Sequence, residues 1–190
     1  MHCATLFPLA LTVLAAASSC IDKDPPDTEG SSIDAAFIDF PKGGITVFDE
    51  KNARWIRYNP ERCRKRFVLA YTFKIIHSLI GLETGVIDGP DHELKWDGEA
   101  RSIAAWNRDH DLRSAISRSV VWYFEEVARS VPPEQMSSLL SACDYGNHKT
   151  SGTPPFWISG DLAISTDEQV ALLRRLRGGE LPFKKTVMTP

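Results

Sequence analysis

The sequence has few cysteines and no excess of basic residues, and each shortage excludes a class of function. Only two of its four cysteines, Cys63 and Cys143, lie beyond the first 20 residues, and neither is spaced like a zinc ligand from another cysteine or a histidine. The two thiols could form a disulfide in an oxidising compartment, but unpaired, packed cysteines are the simpler expectation. Lys and Arg number 22 against 25 Asp and Glu, a formal net charge of −3, which does not indicate nucleic-acid binding. With 190 residues, 43% of them hydrophobic, and five tryptophans, the composition is that of one globular domain.

Long apolar runs are also missing, apart from one near the N-terminus. Residues 6–17 are almost entirely apolar and precede two serines, which predicts a cleaved secretory signal over 1–20, too short for a stable membrane anchor. A buried N-terminal helix is the alternative, because the first three residues include no Lys or Arg. Cys20 is a candidate lipid-bearing cysteine, although Ala17 stands where the lipoprotein pattern prefers Leu. Residues 21–34 are polar, contain two prolines and predict a linker to a folded domain over 35–183, with a tail at 184–190.

The pattern of the folded part predicts strands first and helices afterwards. Short β-type runs at 35–40, 45–49 and 54–58 are separated by turn signals, so we expect an antiparallel meander. Helical spacing then predicts helices at 75–87, 112–131, 133–143 and 165–177, the last capped by Ser165 or Thr166. The acidic stretch 88–111 has no compact ligand spacing, so a solvated loop without a metal is expected. No strands return after residues 181–183, so the sheet should be unfinished.

The most informative local pattern is position 71 followed by Lys74 at the start of the first helix. A separation of three residues places both side chains on one helix face, about 60° apart at roughly 100° per residue. Such a lysine can take the proton of a neighbouring nucleophile, provided that burial lowers its pKa. The N–H groups of the helix N-terminus would stabilise the negative charge that develops.

A series of short motifs follows in one order between residues 45 and 183. The motifs are Thr72-Phe73-Lys74-Ile75, Leu79-Ile80-Gly81-Leu82-Glu83-Thr84-Gly85, Trp96-Asp97-Gly98, Trp106-Asn107-Arg108-Asp109, Asp111-Leu112-Arg113-Ser114-Ala115, Ser119-Val120-Val121-Trp122, Tyr145-Gly146-Asn147, Phe156-Trp157-Ile158-Ser159-Gly160 and Leu181-Pro182-Phe183. In this order they resemble the class D β-lactamases, or oxacillinases, of the serine penicillin-recognising superfamily. The resemblance implies an α+β, transpeptidase-like fold with an antiparallel sheet flanked by helices, here without its C-terminal strands. It also implies a β-lactam substrate and export to a bacterial periplasm.

The resemblance assigns a role to several side chains. Lys74 would react with carbon dioxide to give the carbamate that serves as general base, and no other cofactor is implied. Trp157 would hold that carbamate through its indole N–H, and Val121 would lie over it. Ser119 would shuttle protons and contact the substrate, while Tyr145-Gly146-Asn147 would border the substrate cleft.

Each of these residues also has an ordinary structural explanation. A lysine that opens a helix is usually solvated, and Ser119 could bond back to a helix carbonyl. Trp157 could be a core residue, and Tyr145-Gly146-Asn147 makes a good turn. His77 has no role in the family and is expected to pack in the core. Taken singly the structural explanations are favoured; taken together, the ordered motifs favour the family.

Two departures from the family predict a silent site. Tyr71 stands where the family has its nucleophilic serine, and its phenol oxygen would overshoot the oxyanion donors and fill the substrate pocket. Thr72 lies about 200° around the helix from Lys74, and Ser78 lies a turn deeper, so neither replaces the serine. The family's Lys-Thr-Gly strand motif is absent from the 190 residues, and Lys185-Thr186-Val187 lacks its glycine.

Three hypotheses about function follow from these departures. The chain is a β-lactam hydrolase by family with little or no activity of its own, a β-lactam-sensing or penicillin-binding module, or the non-catalytic product of a decayed gene. The sensing module also requires the serine. The first hypothesis describes the family best, and the third explains both departures.

Overall fold

The computed structural model describes residues 35–37, 39–68 and 71–188. Strands β1 (Ile45–Asp49) and β2 (Arg54–Tyr58) form an antiparallel hairpin, with Ile45 opposite Tyr58 at one end and Asp49 opposite Arg54 at the other. Asp49 closes the turn by accepting hydrogen bonds from the backbone and side chain of Asn52. These two predicted strands and their turn are confirmed. The predicted signal at 1–20 and linker at 21–34 lie outside the described residues.

The predicted strand at 35–40 is wrong. Residues 35–36 are helical, and Phe37 lies in a turn. Hydrogen bonds here are local, because the Phe40 N–H donates to the Phe37 carbonyl and the Gly43 N–H donates to the Phe40 carbonyl. The Phe37 ring packs against the Tyr58 ring at a centroid distance of 5.9 Å. The aromatic side chains thus dock this segment on the hairpin, and within the described ranges the expected meander is a two-stranded hairpin.

A second antiparallel ladder lies within the stretch 88–111. It pairs β3 (Glu93–Leu94) with β4 (His110–Asp111), and a 3₁₀ turn covers Ala104–Trp106. The acidic side chains of this stretch form ion pairs with basic ones, namely Asp97 with Arg101 and both Glu93 and Asp109 with Lys95. Across the ranges that the structure describes, no group of three or more His, Cys, Asp or Glu side chains is placed to hold a metal ion.

Most of the other described elements are helices. Their bounds are α1 (Pro60–Arg64), α2 (Phe73–Thr84), α3 (Leu112–Ser117), α4 (Val121–Ser130), α5 (Pro133–Ala142), α6 (Phe156–Ser159), α7 (Thr166–Arg177) and α8 (Lys185–Met188). Helix α2 ends because Gly85 adopts a left-handed conformation with φ 76°. Ser165 caps α7, and its hydroxyl and the Glu168 carboxylate exchange hydrogen bonds with backbone N–H groups. None of the helices in these ranges is long and apolar enough to cross a membrane.

The helix predicted at 112–131 is two helices, α3 and α4, separated by a turn at Ser119. Ser119 has φ 55°, a left-handed conformation. Its N–H donates to the Ile116 carbonyl, and the Val120 N–H donates to the Ala115 carbonyl. These two bonds, with both Val120 and Ala115 fully buried, form a Schellman motif that ends α3. The chain can therefore turn at a serine, in the position that glycine usually takes.

One hydrophobic core lies between α2, α4, α5 and α6. Phe73, Ile76 and Ile80 of α2 are buried against Phe124 of α4 and Trp157 of α6, among others. Gly81 allows the close approach behind α2, because a Cβ there would lie 2.6 Å from the Ile87 Cδ1. This packing holds the N-terminal turn of α2 against aromatic side chains.

Candidate active site around Lys74

Lys74 lies in the first turn of α2 with its amine turned into the protein. The residue is 4% exposed, and within the described residues its Nζ has no hydrogen-bond partner. Burial lowers the pKa of Lys74 from its ordinary 10.5 to about 8. Desolvation penalises the ammonium form, so a substantial neutral fraction is available near pH 8. A neutral amine is the form that can act as a base or react with an electrophile.

Two aromatic rings lie next to the amine. The Tyr71 ring centroid is 4.6 Å from Lys74 Nζ, and the Phe124 ring centroid is 5.6 Å away. Tyr71 is 54% exposed, whereas Phe124 is fully buried. The amine therefore has an exposed ring as one neighbour and a buried ring as the other. Phe124 was missed in the sequence, although it lies three residues after Val121 and hence on the same face of α4.

Trp157 contributes a second polar atom without a partner. Its ring is stacked on Phe73 at 5.3 Å and meets the His77 ring edge-on at 5.2 Å. The residue is buried, and its indole Nε1 has no acceptor within the described residues. Trp157 is thus a core residue, as one of the two interpretations proposed. Its unpaired N–H, however, is a donor for which the core supplies no acceptor.

His77 packs in the core, as predicted. Its ring lies 5.0 Å from Phe73 and 5.5 Å from Phe124, and it is completely buried. Neither ring nitrogen has a hydrogen-bond partner among the described residues. Burial lowers the pKa of His77 from 6.5 to about 3, so the imidazole is neutral at physiological pH.

The hydroxyls beside Tyr71 have other partners. Ser78 Oγ donates a 2.7 Å hydrogen bond to the Lys74 carbonyl, which holds this side chain along the helix. A hydrogen bond with the Thr72 side chain lowers the pKa of the Tyr145 phenol, although burial has the larger effect and raises that pKa overall. Thr72 thus points toward the core tyrosine. Both hydroxyls are therefore engaged with other groups of the fold.

The turn at Ser119 is held by two tryptophans. Trp106 Nε1 donates to the Arg118 carbonyl at 2.9 Å, and Trp122 Nε1 donates to the Trp106 carbonyl at 2.9 Å. Ser119 is half-buried and lies two residues before Val121, the first residue of α4. Val121 and Phe124 share a face of α4, so the start of this helix lies on the Lys74 side of the core. Trp106 and Trp122 were missed as supports of this turn, although both occur in the ordered motifs.

Tyr145-Gly146-Asn147 joins two segments of the chain. Asn147 Oδ1 accepts the Ala163 N–H at 3.0 Å, and its Nδ2 donates to the Asp161 carbonyl at 2.6 Å. A Cβ on Gly146 would lie 2.1 Å from the Ala163 carbonyl oxygen, so only glycine fits here. Tyr145 is buried, with its ring 5.8 Å from Phe73. The motif therefore contacts the Lys74 region through the core residue Phe73.

Other sequence features lie outside this cluster. Lys185-Thr186-Val187 belongs to helix α8, so it has no strand context, as predicted. Cys63 and Cys143 are both buried and free, in agreement with the expectation of packed thiols. Burial raises the pKa of Cys143 to about 11, which suits an unreactive thiol.

Comparisons of this chain with known proteins agree on one family. Residues 38–182 match the penicillin-binding protein transpeptidase domain. β-Lactamase OXA-48 of Klebsiella pneumoniae is 40% identical over 155 residues, which cover 80% of this chain and 58% of OXA-48. Regulatory protein BlaR1 of Bacillus licheniformis is 34% identical over 144 residues, covering 76% of this chain and 24% of BlaR1. The chain thus spans little more than half of OXA-48 and a quarter of BlaR1.

The same family appears among solved structures. The class D β-lactamase YbXI from Nostoc superimposes with a TM-score of 0.77 at 36% identity, covering 82% of this chain and 67% of that one. At this level of sequence identity, a structural match indicates a common family as well as a common fold. The chain belongs to the penicillin-binding protein transpeptidase family and, within it, to the class D β-lactamases.

Proposed function

We propose that this chain is a class D β-lactamase relative whose hydrolysis of β-lactams is silenced at position 71. The observation that carries the proposal is the arrangement at the start of α2, where the Lys74 amine faces the Tyr71 ring at 4.6 Å. The base is buried and has a lowered pKa, but a phenyl ring occupies the place of a serine hydroxyl. The phenol oxygen also lies further from the backbone than a serine oxygen, which is unsuited to a serine's position.

We propose that Lys74 combines with carbon dioxide as in the family. The residues present fit a carbamate, because Lys74 Nζ and Trp157 Nε1 are buried without hydrogen-bond partners in the described part of the chain. When bound, carbon dioxide supplies a carboxylate-like general base. Trp157 would donate its indole N–H to that group, and Phe73 and Phe124 keep its surroundings apolar. Ser119 and Val121, at the α4 end of the core, would face the same site.

Hydrolysis of a β-lactam would be lost in this chain through two requirements, proton transfer to a base and the geometry of the attacking oxygen. A base at Lys74 needs a hydroxyl within hydrogen-bond reach whose oxygen can then attack the lactam carbonyl. Thr72 and Ser78 have other partners, so neither is free to act as that proton donor. The 190 residues also hold no Lys-Thr-Gly strand motif to supply the second oxyanion donor, the loss of which typically costs about 10²–10³ in rate.

A chromogenic cephalosporin tests the proposal. We expect the purified chain to show no hydrolysis above a heat-denatured sample, with OXA-48 as a positive control. Tyr71→Ser alone should not restore turnover in a polypeptide of these 190 residues, because they contain no Lys-Thr-Gly motif from which the second oxyanion donor could come. Clear turnover by the wild-type chain would overturn the proposal of a silent enzyme, and recovery in Tyr71→Ser would show that position 71 is the sole defect.

The similarity to BlaR1 favours one further candidate, a module that binds β-lactams without turning them over. Intact-mass measurement after incubation with benzylpenicillin distinguishes this module from a silent enzyme. A stable increase equal to one penicillin would favour the sensor-like module, and an unchanged mass favours a silent chain. Resequencing codon 71 tests whether the tyrosine is a sequence error. In any of these cases we propose export to a periplasm through the signal predicted at 1–20, with Cys20 as a candidate lipid anchor.

A further inference from the structure

Two aromatic rings flank the Lys74 amine, one of them buried and the other exposed. Phe124, on its inner side, is fully buried, while Tyr71 is 54% exposed and its ring centroid lies 4.6 Å from Nζ. The amine itself is buried and has no hydrogen-bond partner in the described residues. An exposed aromatic ring thus stands beside a buried amine that can react.

A ring in this position has two physical effects. Its π-face attracts the ammonium form, which opposes the desolvation that favours the neutral amine. It also hinders the approach of a reagent to the amine from the exposed side. A reagent must therefore either pass beside the ring or reach the amine when the Tyr71 side chain has rotated away. An exposed side chain rotates rapidly, but a bulky reagent can reach the amine only while the ring is rotated away from it.

We propose that Tyr71 is a gating residue that selects by size which electrophiles reach Lys74. Small neutral electrophiles of the size of carbon dioxide or isocyanic acid pass the ring, whereas acylating agents as large as a β-lactam or an activated ester are excluded. With isocyanic acid, the amine nitrogen bonds to the carbon, the C=N π bond opens, and the proton lost by the amine moves to the isocyanate nitrogen. The product is a stable carbamoyl-lysine, and no co-reactant is needed.

The proposed gate and the proposed function share one premise, a reactive amine at Lys74. The gate rests on the proposed function in that respect alone. Cyanate and a sulfonated N-hydroxysuccinimide ester probe the gate without any β-lactam. Labelling of Lys74 by each reagent is measured by peptide mass spectrometry at pH 8 and divided by labelling of the exposed Lys51. Lys74→Arg identifies the labelled peptide.

In the wild-type chain we expect Lys74 to react with cyanate and to resist the ester. Tyr71→Ala should raise ester labelling of Lys74 about tenfold or more, which corresponds to a barrier change of about 1.4 kcal/mol, with a much smaller change for cyanate. Tyr71→Phe keeps the ring and should match the wild type. Tyr71→Ser serves as a second open variant if the alanine variant folds poorly.

An ester-to-cyanate ratio that stays the same in Tyr71→Ala, Tyr71→Ser and the wild type would overturn the gate. A ratio that changes as much in Tyr71→Phe as in Tyr71→Ala would also overturn it, since that result would assign the effect to the hydroxyl rather than the ring. Cephalosporin hydrolysis by the wild-type chain would refute the proposed function and leave the labelling ratio unaffected. The two ideas therefore fail separately.

Discussion

Burial affects Lys74 and His77 in the same direction, because each side chain places a basic nitrogen in an apolar core without a hydrogen-bond partner in the described residues. The pKa of Lys74 falls to about 8 and that of His77 to about 3. For Lys74 the neutral form has a chemical use. For His77 it is a condition of folding, since the ring is enclosed by Phe73, Phe124 and Trp157.

His77 should make the fold sensitive to acid. The unfolded chain takes up a proton near pH 6.5 and the folded chain only near pH 3, so the unfolded state binds more protons between these values. The free energy of unfolding should then fall by up to about 1.4 kcal/mol for each pH unit below about 6.5. His77→Phe should lose this contribution, and urea unfolding of both chains at pH 7.0 and pH 5.5 measures it. An equal loss of stability in the two chains would contradict the assignment to His77.

At this scale the sequence indicated the start of the helix that carries Lys74 and missed the packing around its amine. The spacing of Tyr71 and Lys74 and the helix start were readable, because a period of 3.6 residues fixes which side chains share a face. That the Tyr71 ring would lie over the amine was not, since a side-chain rotamer depends on the packing around it. Phe124 and His77 were core residues in the sequence, and only the fold brings the Phe124 ring centroid to 5.6 Å from the amine.

At the scale of elements, the turn between α3 and α4 shows where periodicity misleads. Apolar residues continue at helical spacing through 112–131, so the sequence predicts one helix. The break depends on Ser119 adopting φ 55° and on Val120 and Ala115 closing a Schellman motif. Serine carries no sequence signal for that conformation, whereas glycine would have done so. The strand predicted at 35–40 is wrong for a similar reason, because local turns satisfy the backbone hydrogen-bonding groups of this segment.

Substitution of Ser119 should report on the strain of this turn. A left-handed conformation costs a residue with a Cβ about 1–2 kcal/mol, so Ser119→Gly should raise the free energy of unfolding by up to about 1 kcal/mol after the greater entropy of glycine in the unfolded chain is deducted. Ser119→Val should lower it, since β-branched residues tolerate this conformation least. Thermal unfolding of the two variants beside Ser119→Ala is the measurement. A glycine variant less stable than the alanine variant would rule out backbone strain as the controlling feature.

At the scale of the whole molecule, the N-terminal hairpin joins the helical core through charge as well as packing. Arg57 of β2 donates from Nε to both Asp167 carboxylate oxygens at 3.0 Å, and Thr46 of β1 donates to the same carboxylate at 2.7 Å. The sequence predicted the hairpin and α7 separately and gave no contact between them. Contacts between elements 110 residues apart depend on the tertiary arrangement, which local patterns do not encode.

The Arg57–Asp167 pair should therefore be the most sensitive ionic contact of the hairpin. The Arg57 side chain is 1% exposed and that of Asp167 15%, so removal of the carboxylate leaves a buried guanidinium without its principal counter-charge. Asp167→Ala should lower the free energy of unfolding by about 3–5 kcal/mol, the usual cost of breaking a buried pair. Asp91→Ala is the matched control, because the Arg113–Asp91 pair is exposed by 66% and 82% and such pairs contribute about 0–1 kcal/mol. Urea unfolding followed by tryptophan fluorescence measures both, with Trp55 of the hairpin buried beside the pair. Equal, small losses in the two variants would mean that the hairpin is held by its apolar contacts alone.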